Sequence, residues 1–346
     1  MFAWQNTVRV IADEIGLNPE EINEQDEFKA LGVNGILSQS IITKLRGTLG
    51  KDLPSDIFDQ NPTVGAFREY CGGNLKIQQR LPDSSLQAKL SPSSSVSLST
   101  ILKNGPATGK QIVFLLPDGS GSGMAYANLP LIHPSVCVVG LNSPYLRSAN
   151  HYCCSIEEVS LQWVNEIYHR QPNGPYILGG WSAGGYYSFE VAKQLVRDGK
   201  RVEKLILIDS PCRTVFESLP MEVIGYLASR NLMGNWGSNG PPTWLVEHFR
   251  STLRAVGEYH PTPMDARDVP ETYIVWSRDG VQPKGTLDAS GLDLRVKVSQ
   301  FLLQGKTNFG PNGWDQLLPG REIKISTMSG THFSMISAPH VSNILF

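Results

Sequence analysis

The sequence predicts an α/β protein in two parts, a small all-α bundle followed by a parallel sheet covered by helices on both faces. Three observations carry this expectation. Residues 1–71 place apolar side chains at helical spacing. Residues 72–105 are rich in serine and proline. From Lys110 onward, short apolar runs with branched residues alternate with helical patterns, as in a sheet buried on both faces.

In the first part, Trp4, Val8, Ile11 and Ile15 share one helical face, and Gly16 stands where that helix would stop. An acidic loop containing Asn18 and Pro19 follows. Leu37, Ile41, Leu45 and Leu49, four apart, predict a second helix. Asn61-Pro62-Thr63 opens a last short helix through Val64, Phe67 and Tyr70. Cys71-Gly72-Gly73 then ends the bundle. The stretch 72–105, with Pro82, Asp83, Ser84, Ser85 and the run Ser91-Pro92-Ser93-Ser94-Ser95, cannot bury enough apolar surface to offset its ordering entropy. It is expected to be a flexible linker with a reach on the order of 30 Å, leaving the two domains to move independently.

The second domain is expected over 106–346. Its strands are predicted at Gln111–Leu116, Val136–Leu141, Tyr176–Leu178, Leu205–Ile208, Tyr273–Trp276 and Glu322–Ser326, with helices at Ser155–Arg170 and Tyr186–Arg197. Residues of about 213–265 form an insertion with helical patterns at Val215–Arg230 and Thr243–Tyr259, expected to make a lid. Trp236, Trp244, Phe249 and Tyr259 either line a pocket beneath it or pack it.

Composition narrows the function. A chain of 346 residues with 40% hydrophobic content can bury a sizeable core. A net charge of −2 and a pI near 6.4 argue against a nucleic-acid surface or a polybasic membrane patch. No run approaches the roughly 18 apolar residues of a membrane helix, and the N-terminus has no secretory pattern. Five scattered cysteines without a C-x-x-C spacing suit a cytoplasmic protein with reduced thiols. His151 beside Cys153 and Cys154 lacks any further ligand spacing, so neither a metal nor a cofactor is expected.

Gly180-Trp181-Ser182-Ala183-Gly184 is the one G-x-S-x-G in the chain, between a predicted strand and a predicted helix. In that context the serine sits on a sharp turn whose neighbours come too close for a Cβ, and its hydroxyl projects above the sheet edge as a nucleophile. A serine needs a base. Of seven histidines, His332 follows the last strand and returns to the same sheet edge, whereas His340 lies on a C-terminal helical pattern. Asp209, at the carboxyl end of the strand after the nucleophile helix, is the expected orienting acid; Asp279 is its rival. The order Ser182, Asp209, His332 is that of an α/β-hydrolase. Backbone N–H groups of Ala183 and of the loop at Gly119 are the expected oxyanion donors.

At these residues the second domain resembles the α/β-hydrolase thioesterases that end fungal non-reducing polyketide synthases. The matching stretches are Leu116–Gly123, Gly180–Gly185, Leu207-Ile208-Asp209 and Asn308–Asp315 ahead of His332. Residues 1–71 resemble the acyl carrier domain that precedes such thioesterases, with Leu31–Ser38 over the attachment motif. The resemblance departs at one position. Carrier domains place Asp-Ser where this chain has Asn34-Gly35, and the phosphopantetheine arm is bonded through that serine oxygen. Gly35 has no oxygen to modify, so a degenerate pseudo-carrier is expected, in a free-standing protein.

The resemblance implies a thioesterase that releases or edits a polyketide acyl chain, delivered as a thioester by the acyl-loaded carrier domain of a separate polyketide synthase. Hydrolysis of the acyl-Ser182 intermediate is the leading expectation. The alternatives are Claisen-type cyclisation from the same intermediate, or a non-catalytic protein that docks on the synthase. No nucleic acid or membrane partner is expected.

Overall fold

The fold is described from a computed structural model, which covers residues 2–15, 19–29, 31, 33, 38, 41–42, 44–46, 53–54, 56–72, 97–103, 111–230, 232–233, 240–281 and 295–343. It holds two compact units, one built mainly within Met1–Ser95 and the other within Val96–Phe346.

In the first unit, helix α1 (Phe2–Ile15) turns Ile11, Ala12 and Ile15 inward, as its apolar spacing requires. Positions 38, 41, 42 and 44–46 of the expected second helix are helical, and Ile41, Ile42 and Leu45 are fully buried. Short helix α2 (Ile57–Gln60) precedes α3 (Val64–Gly72), which starts where Pro62 predicts. The centre is a ring cluster. Phe28 lies 4.4 Å from Phe58 and 5.9 Å from Phe67, edge-on to the latter, and Phe58 lies 5.2 Å from Phe67. Gly16, Gly32, Asn34, Gly35, Ile36, Leu37 and Leu49 lie outside the described residues.

The second unit is a seven-stranded sheet in the order β1-β3-β2-β4-β5-β6-β7. The strands are β1 (Ser99–Lys103), β2 (Gln111–Leu116), β3 (Val136–Leu141), β4 (Tyr176–Trp181), β5 (Val202–Ile208), β6 (Glu271–Ser277) and β7 (Lys324–Met328). All pairs are parallel except β1 with β3. This is the α/β-hydrolase architecture expected from the sequence.

Strand β1 corrects the linker boundary. Residues 99–103 were expected in a linker reaching residue 105, but Ser99 to Lys103 pair antiparallel with β3. Serine-rich flanks hide a short edge strand whose Leu102 is buried and whose Ile101 faces out. Its start is tied down by Asn142, whose N–H donates to Leu98 O at 2.9 Å and whose side-chain amide donates to Ser97 O at 2.8 Å. The stretch 73–96 lies outside the described residues.

Continuous apolar strands serve two cores at once. Phe114 and Leu116 of β2 join one cluster, Val113 and Leu115 the other. The first face is covered by α4 (Ile156–Arg170) and α5 (Gly184–Arg197). Helix α4 begins with a capping box, Ser155 Oγ accepting from Glu158 N–H at 3.2 Å while Ser155 N–H donates to Glu158 Oε2 at 2.8 Å. Among the described residues the second face is covered by the 3-10 turn Gly123–Tyr126 and by Met335, Ile336 and Val341, where helices were expected.

In the insertion, helix α6 spans Val223–Ser229 and α7 spans Thr243–Glu258. The first was expected from Val215. It starts late because Pro220 offers no N–H and disfavours helical backbone at Leu219. Helices α8 (Lys297–Leu303) and α9 (Trp314–Leu317) complete the second unit. No described helix is long and apolar enough to cross a membrane.

Trp163 joins α4 to the sheet. Its indole N–H donates to Asn142 O at 2.7 Å, and its ring packs 4.8 Å from that of Tyr187. Trp163→Ala should therefore destabilise the second unit by about 3–5 kcal/mol, read as a lower denaturant midpoint. A loss below about 1 kcal/mol would show that α4 repacks without the indole.

Candidate active site

The turn after β4 sets the site. Trp181 ends the strand, Gly184 begins α5, and Ser182 between them has φ of 57°. That left-handed backbone is costly for a residue with a Cβ and survives only under surrounding constraint. The constraint is close packing. A Cβ on Gly180 would lie 2.2 Å from the carbonyl carbon of Gly184, and one on Gly185 would lie 2.1 Å from Ser210 Oγ. Hydrogen bonds hold the turn: Ser182 N–H donates to Ile208 O at 3.0 Å, and Trp181 N–H donates to the Tyr126 hydroxyl at 2.7 Å. That hydroxyl in turn donates to Leu116 O at 2.6 Å.

The three sequence-predicted groups meet here. Ser182 Oγ lies 3.0 Å from His332 Nε2, and His332 Nδ1 lies 2.8 Å from Asp209 Oδ2. Asp209 also has positive φ, 44°, at the end of β5, with its N–H donated to Val275 O at 2.8 Å. Ser277, closing the neighbouring β6, donates its N–H to Asp209 Oδ1 and its hydroxyl to Oδ2, both at 2.8 Å. His332 is held by the Trp181 indole, which donates to its carbonyl at 3.1 Å, and lies among the rings of Trp181, Phe301 and Phe333.

The rival acid has another task. Asp279 Oδ2 accepts from Gly330 N–H at 2.7 Å, and Asp279 N–H donates to Gly330 O at 3.0 Å. It clasps the loop that carries His332 and leaves the imidazole to Asp209. His340 packs on the same loop, its Nδ1 2.9 Å from Ser329 Oγ. His151 is exposed in a 3-10 turn, and among the described residues no cluster of three or more His, Cys, Asp or Glu side chains could hold a metal.

The two expected oxyanion donors face different constraints. The N–H groups of Ala183 and Gly119 have no acceptor among the described residues, so both are available to a ligand oxygen. The Gly119 carbonyl is fixed from α7: Thr252 Oγ1 and His248 Nδ1 each donate to it at 3.2 Å. Burial pushes the His248 imidazole down to about 4, against the bond to Gly119, which keeps the ring neutral near pH 7. The Phe249 ring lies against Gly119. Of the other aromatic residues in the insertion, Tyr259 donates to buried Glu190 Oε1 at 2.7 Å and packs on Tyr186, so it belongs to the core. Trp244 lies under the Arg147 guanidinium at 4.5 Å, and Trp236 falls outside the described residues.

A lysine that sequence reasoning missed completes the electrostatics. Lys306 Nζ lies 2.9 Å from Asp209 Oδ2 and 2.7 Å from Ser277 Oγ. Burial raises the Asp209 carboxyl, but the Lys306 ammonium and the bond from His332 outweigh it and hold it below its ordinary value. Burial lowers His332; Asp209 opposes this and Lys306 adds to it, and the net direction is down. No motif marks Lys306, Ser277, His248 or Thr252, because each acts through contacts distant in sequence.

Residues 111–345 match the family described as Thioesterase domain. The chain belongs to the thioesterase domain family. Residues 7–71 of this thioesterase match the family described as Phosphopantetheine attachment site. The non-reducing polyketide synthase terA of Aspergillus terreus is 35% identical over 99% of this chain and 18% of its own length. The non-reducing polyketide synthase Preu8 of Preussia isomera is 34% identical over 96% of this chain and 17% of its own. The thioesterase thus spans less than a fifth of these relatives. Among solved structures, the four-domain nonribosomal peptide synthetase AB3403, in its holo form, aligns with 96% of this chain and 25% of its own at TM-score 0.57 and 19% identity. The NocB thioesterase domain aligns with 68% of this chain and 91% of its own at TM-score 0.50 and 22% identity. Both likenesses are of fold.

Beside the site, burial lifts the Asp118 carboxyl from 3.8 to about 6, against a bond from Ser120. Between those values the folded chain keeps a proton that the unfolded chain has lost. Its stabilising contribution is therefore fully present below pH 3.8 and is lost as pH rises through about 6. Asp118→Asn, which resembles the protonated acid, should gain on the wild type by up to about 3 kcal/mol between pH 4 and 7, measured as melting temperature against pH. A constant difference across that range would show that Asp118 titrates normally.

Proposed function

We propose that this thioesterase releases a polyketide acyl chain from a carrier domain by hydrolysis through an acyl-Ser182 intermediate. The observation that carries the reading is the hydrogen-bonded line Ser182–His332–Asp209 on a strained strand–helix turn, in a thioesterase preceded by a carrier-like domain.

In this reading Ser182 Oγ attacks the thioester carbonyl carbon while His332 Nε2 takes the hydroxyl proton. Asp209 steadies the imidazolium. Charge on the carbonyl oxygen is met by the N–H groups of Ala183 and Gly119, two dipoles set before the substrate arrives. The C–S bond then breaks, the thiol leaves with the proton from His332, and the acyl group stays on Ser182. Water, deprotonated by the same imidazole, releases the acid and restores the serine.

A second outcome, Claisen-type cyclisation, starts from the same intermediate. What supports it is the Phe249 ring, which lies against Gly119 in the loop of the expected oxyanion donor, since an apolar surface at that place disfavours attack by water. Substrate is proposed to come as a thioester on another protein's carrier domain, since Gly35 stands where the attachment serine is expected and carries no hydroxyl. The N-terminal domain would then serve docking on the synthase. A cytoplasmic location goes with this reading.

With acyl-loaded carrier as substrate and product followed by mass spectrometry, Ser182→Ala and His332→Ala should each lose on the order of 10⁶ in kcat, and Asp209→Asn less. Full turnover in Ser182→Ala would remove the acyl-enzyme, and no turnover in the wild type would favour the non-catalytic docking protein. Phe249→Ala should raise the share of free acid over cyclised product; an unchanged ratio would make that ring lid packing.

Treatment with a phosphopantetheinyl transferase and coenzyme A should leave the intact mass unchanged. Gain of one phosphopantetheine would overturn the pseudo-carrier reading.

A further inference from the structure

Lys306 is 6% exposed, and each direction of its ammonium has a partner. One N–H points to Asp209 Oδ2 at 2.9 Å and one to Ser277 Oγ at 2.7 Å, and the Phe301 ring face lies 4.0 Å away. Burying a lysine costs several kcal/mol unless a counter-charge answers it. Here the only described carboxylate bonded to it is the one that also takes His332.

Holding Asp209 in place does not require that charge. Its Oδ1 already takes the Ser277 N–H, and its Oδ2 takes the Ser277 hydroxyl and His332 Nδ1–H. What the ammonium adds is electrostatic. With Lys306 beside it, Asp209 presents His332 with a neutralised pair, which stabilises an imidazolium less than a lone carboxylate does.

We propose that Lys306 is a fourth, positioning member of this site, whose buried ammonium shares the Asp209 carboxylate with His332 and keeps the imidazole a free base in mildly acidic solution. The charged groups facing His332 are Asp209 from the end of β5 and Lys306 from the loop after α8. Its other neighbours, the Ser182 hydroxyl and the rings of Trp181, Phe301 and Phe333, carry no charge. Asp279, from the end of β6, is directed at the Gly330 N–H. The fall of His332 below the ordinary imidazole value follows from burial first and then from Lys306. The cost is a weaker base. The gain is a base already deprotonated at lower pH.

This inference rests on the reading of Ser182, His332 and Asp209 as the reacting set, and two independent measurements separate the failures. The first follows the His332 ring carbon by NMR against pH in the full chain, for wild type, Lys306→Met and Lys306→Arg. The second measures kcat/KM against pH with a small soluble thioester. In the wild type His332 should titrate below the ordinary 6.5. Lys306→Met should move both the NMR midpoint and the acid limb of kcat/KM to higher pH. At about pH 6 this should cost a further fivefold or so, relative to its own plateau. Lys306→Arg, which restores the charge, should bring both back.

A purely structural lysine would lower kcat/KM at every pH and leave the midpoint where it was, and that result would overturn the proposal. So would a wild-type His332 that titrates at or above 6.5, a measurement that stands even if the methionine variant does not fold. A shifted midpoint in a protein without turnover would uphold the Lys306–His332 coupling and defeat the acyl-transfer reading instead.

Discussion

Everything at the site depends on one close approach, that of the first turn of α5 to the end of β4. The two backbones pass so near that position 180 has no room for a Cβ, and Ser182 is forced into left-handed backbone. Such a residue stores about 1–3 kcal/mol of strain, which only a well-determined environment holds. The environment is visible in a bonded chain running from Leu116 through the Tyr126 hydroxyl to Trp181. The Trp181 indole then carries the restraint on to the backbone of His332. Ser182 and His332 are thus located by one set of contacts.

Sheet register does the rest. Parallel pairing of β5 with β6 aligns Ile208 with Val275, so the residues just beyond, Asp209 and Ser277, meet as carboxylate and paired donors. The acid is buried and still ionised because its negative charge is answered from three sides, by a serine, an imidazole and an ammonium. Ser277 and His332 already satisfy both carboxylate oxygens, so the ammonium acts on the charge rather than on the geometry.

The three side chains that meet, Ser182, His332 and Asp209, were legible in the sequence because each lies at a strand end or motif that local pattern can find. Gly180 to Gly184 between a strand and a helix marked Ser182, and the strand Leu205–Ile208 marked Asp209. The sequence favoured Asp209 over Asp279 without excluding the rival. Both follow apolar strands, and only the turn of the chain shows that one faces the imidazole and the other a backbone N–H. Strand β1 was hidden by its serine-rich flanks, and a proline at position 220 delayed a helix whose apolar spacing begins earlier. Lys306 was invisible for a different reason. A lysine reads as surface on composition, and its burial depends on a carboxylate 97 positions away.

The same long separations bear on how the protein is made. His332 lies 150 positions after Ser182 and 123 after Asp209. At about 5–20 residues per second, a ribosome needs roughly eight to thirty seconds to pass from serine to histidine. During that interval the emerging chain holds Ser182 without the histidine it is bonded to in the folded protein. Its partner takes its place only once β7 has been laid against β6 and the loop beyond it has closed on Asp279. The hydrogen-bonded line of serine, histidine and aspartate is therefore among the last features the folding chain can complete.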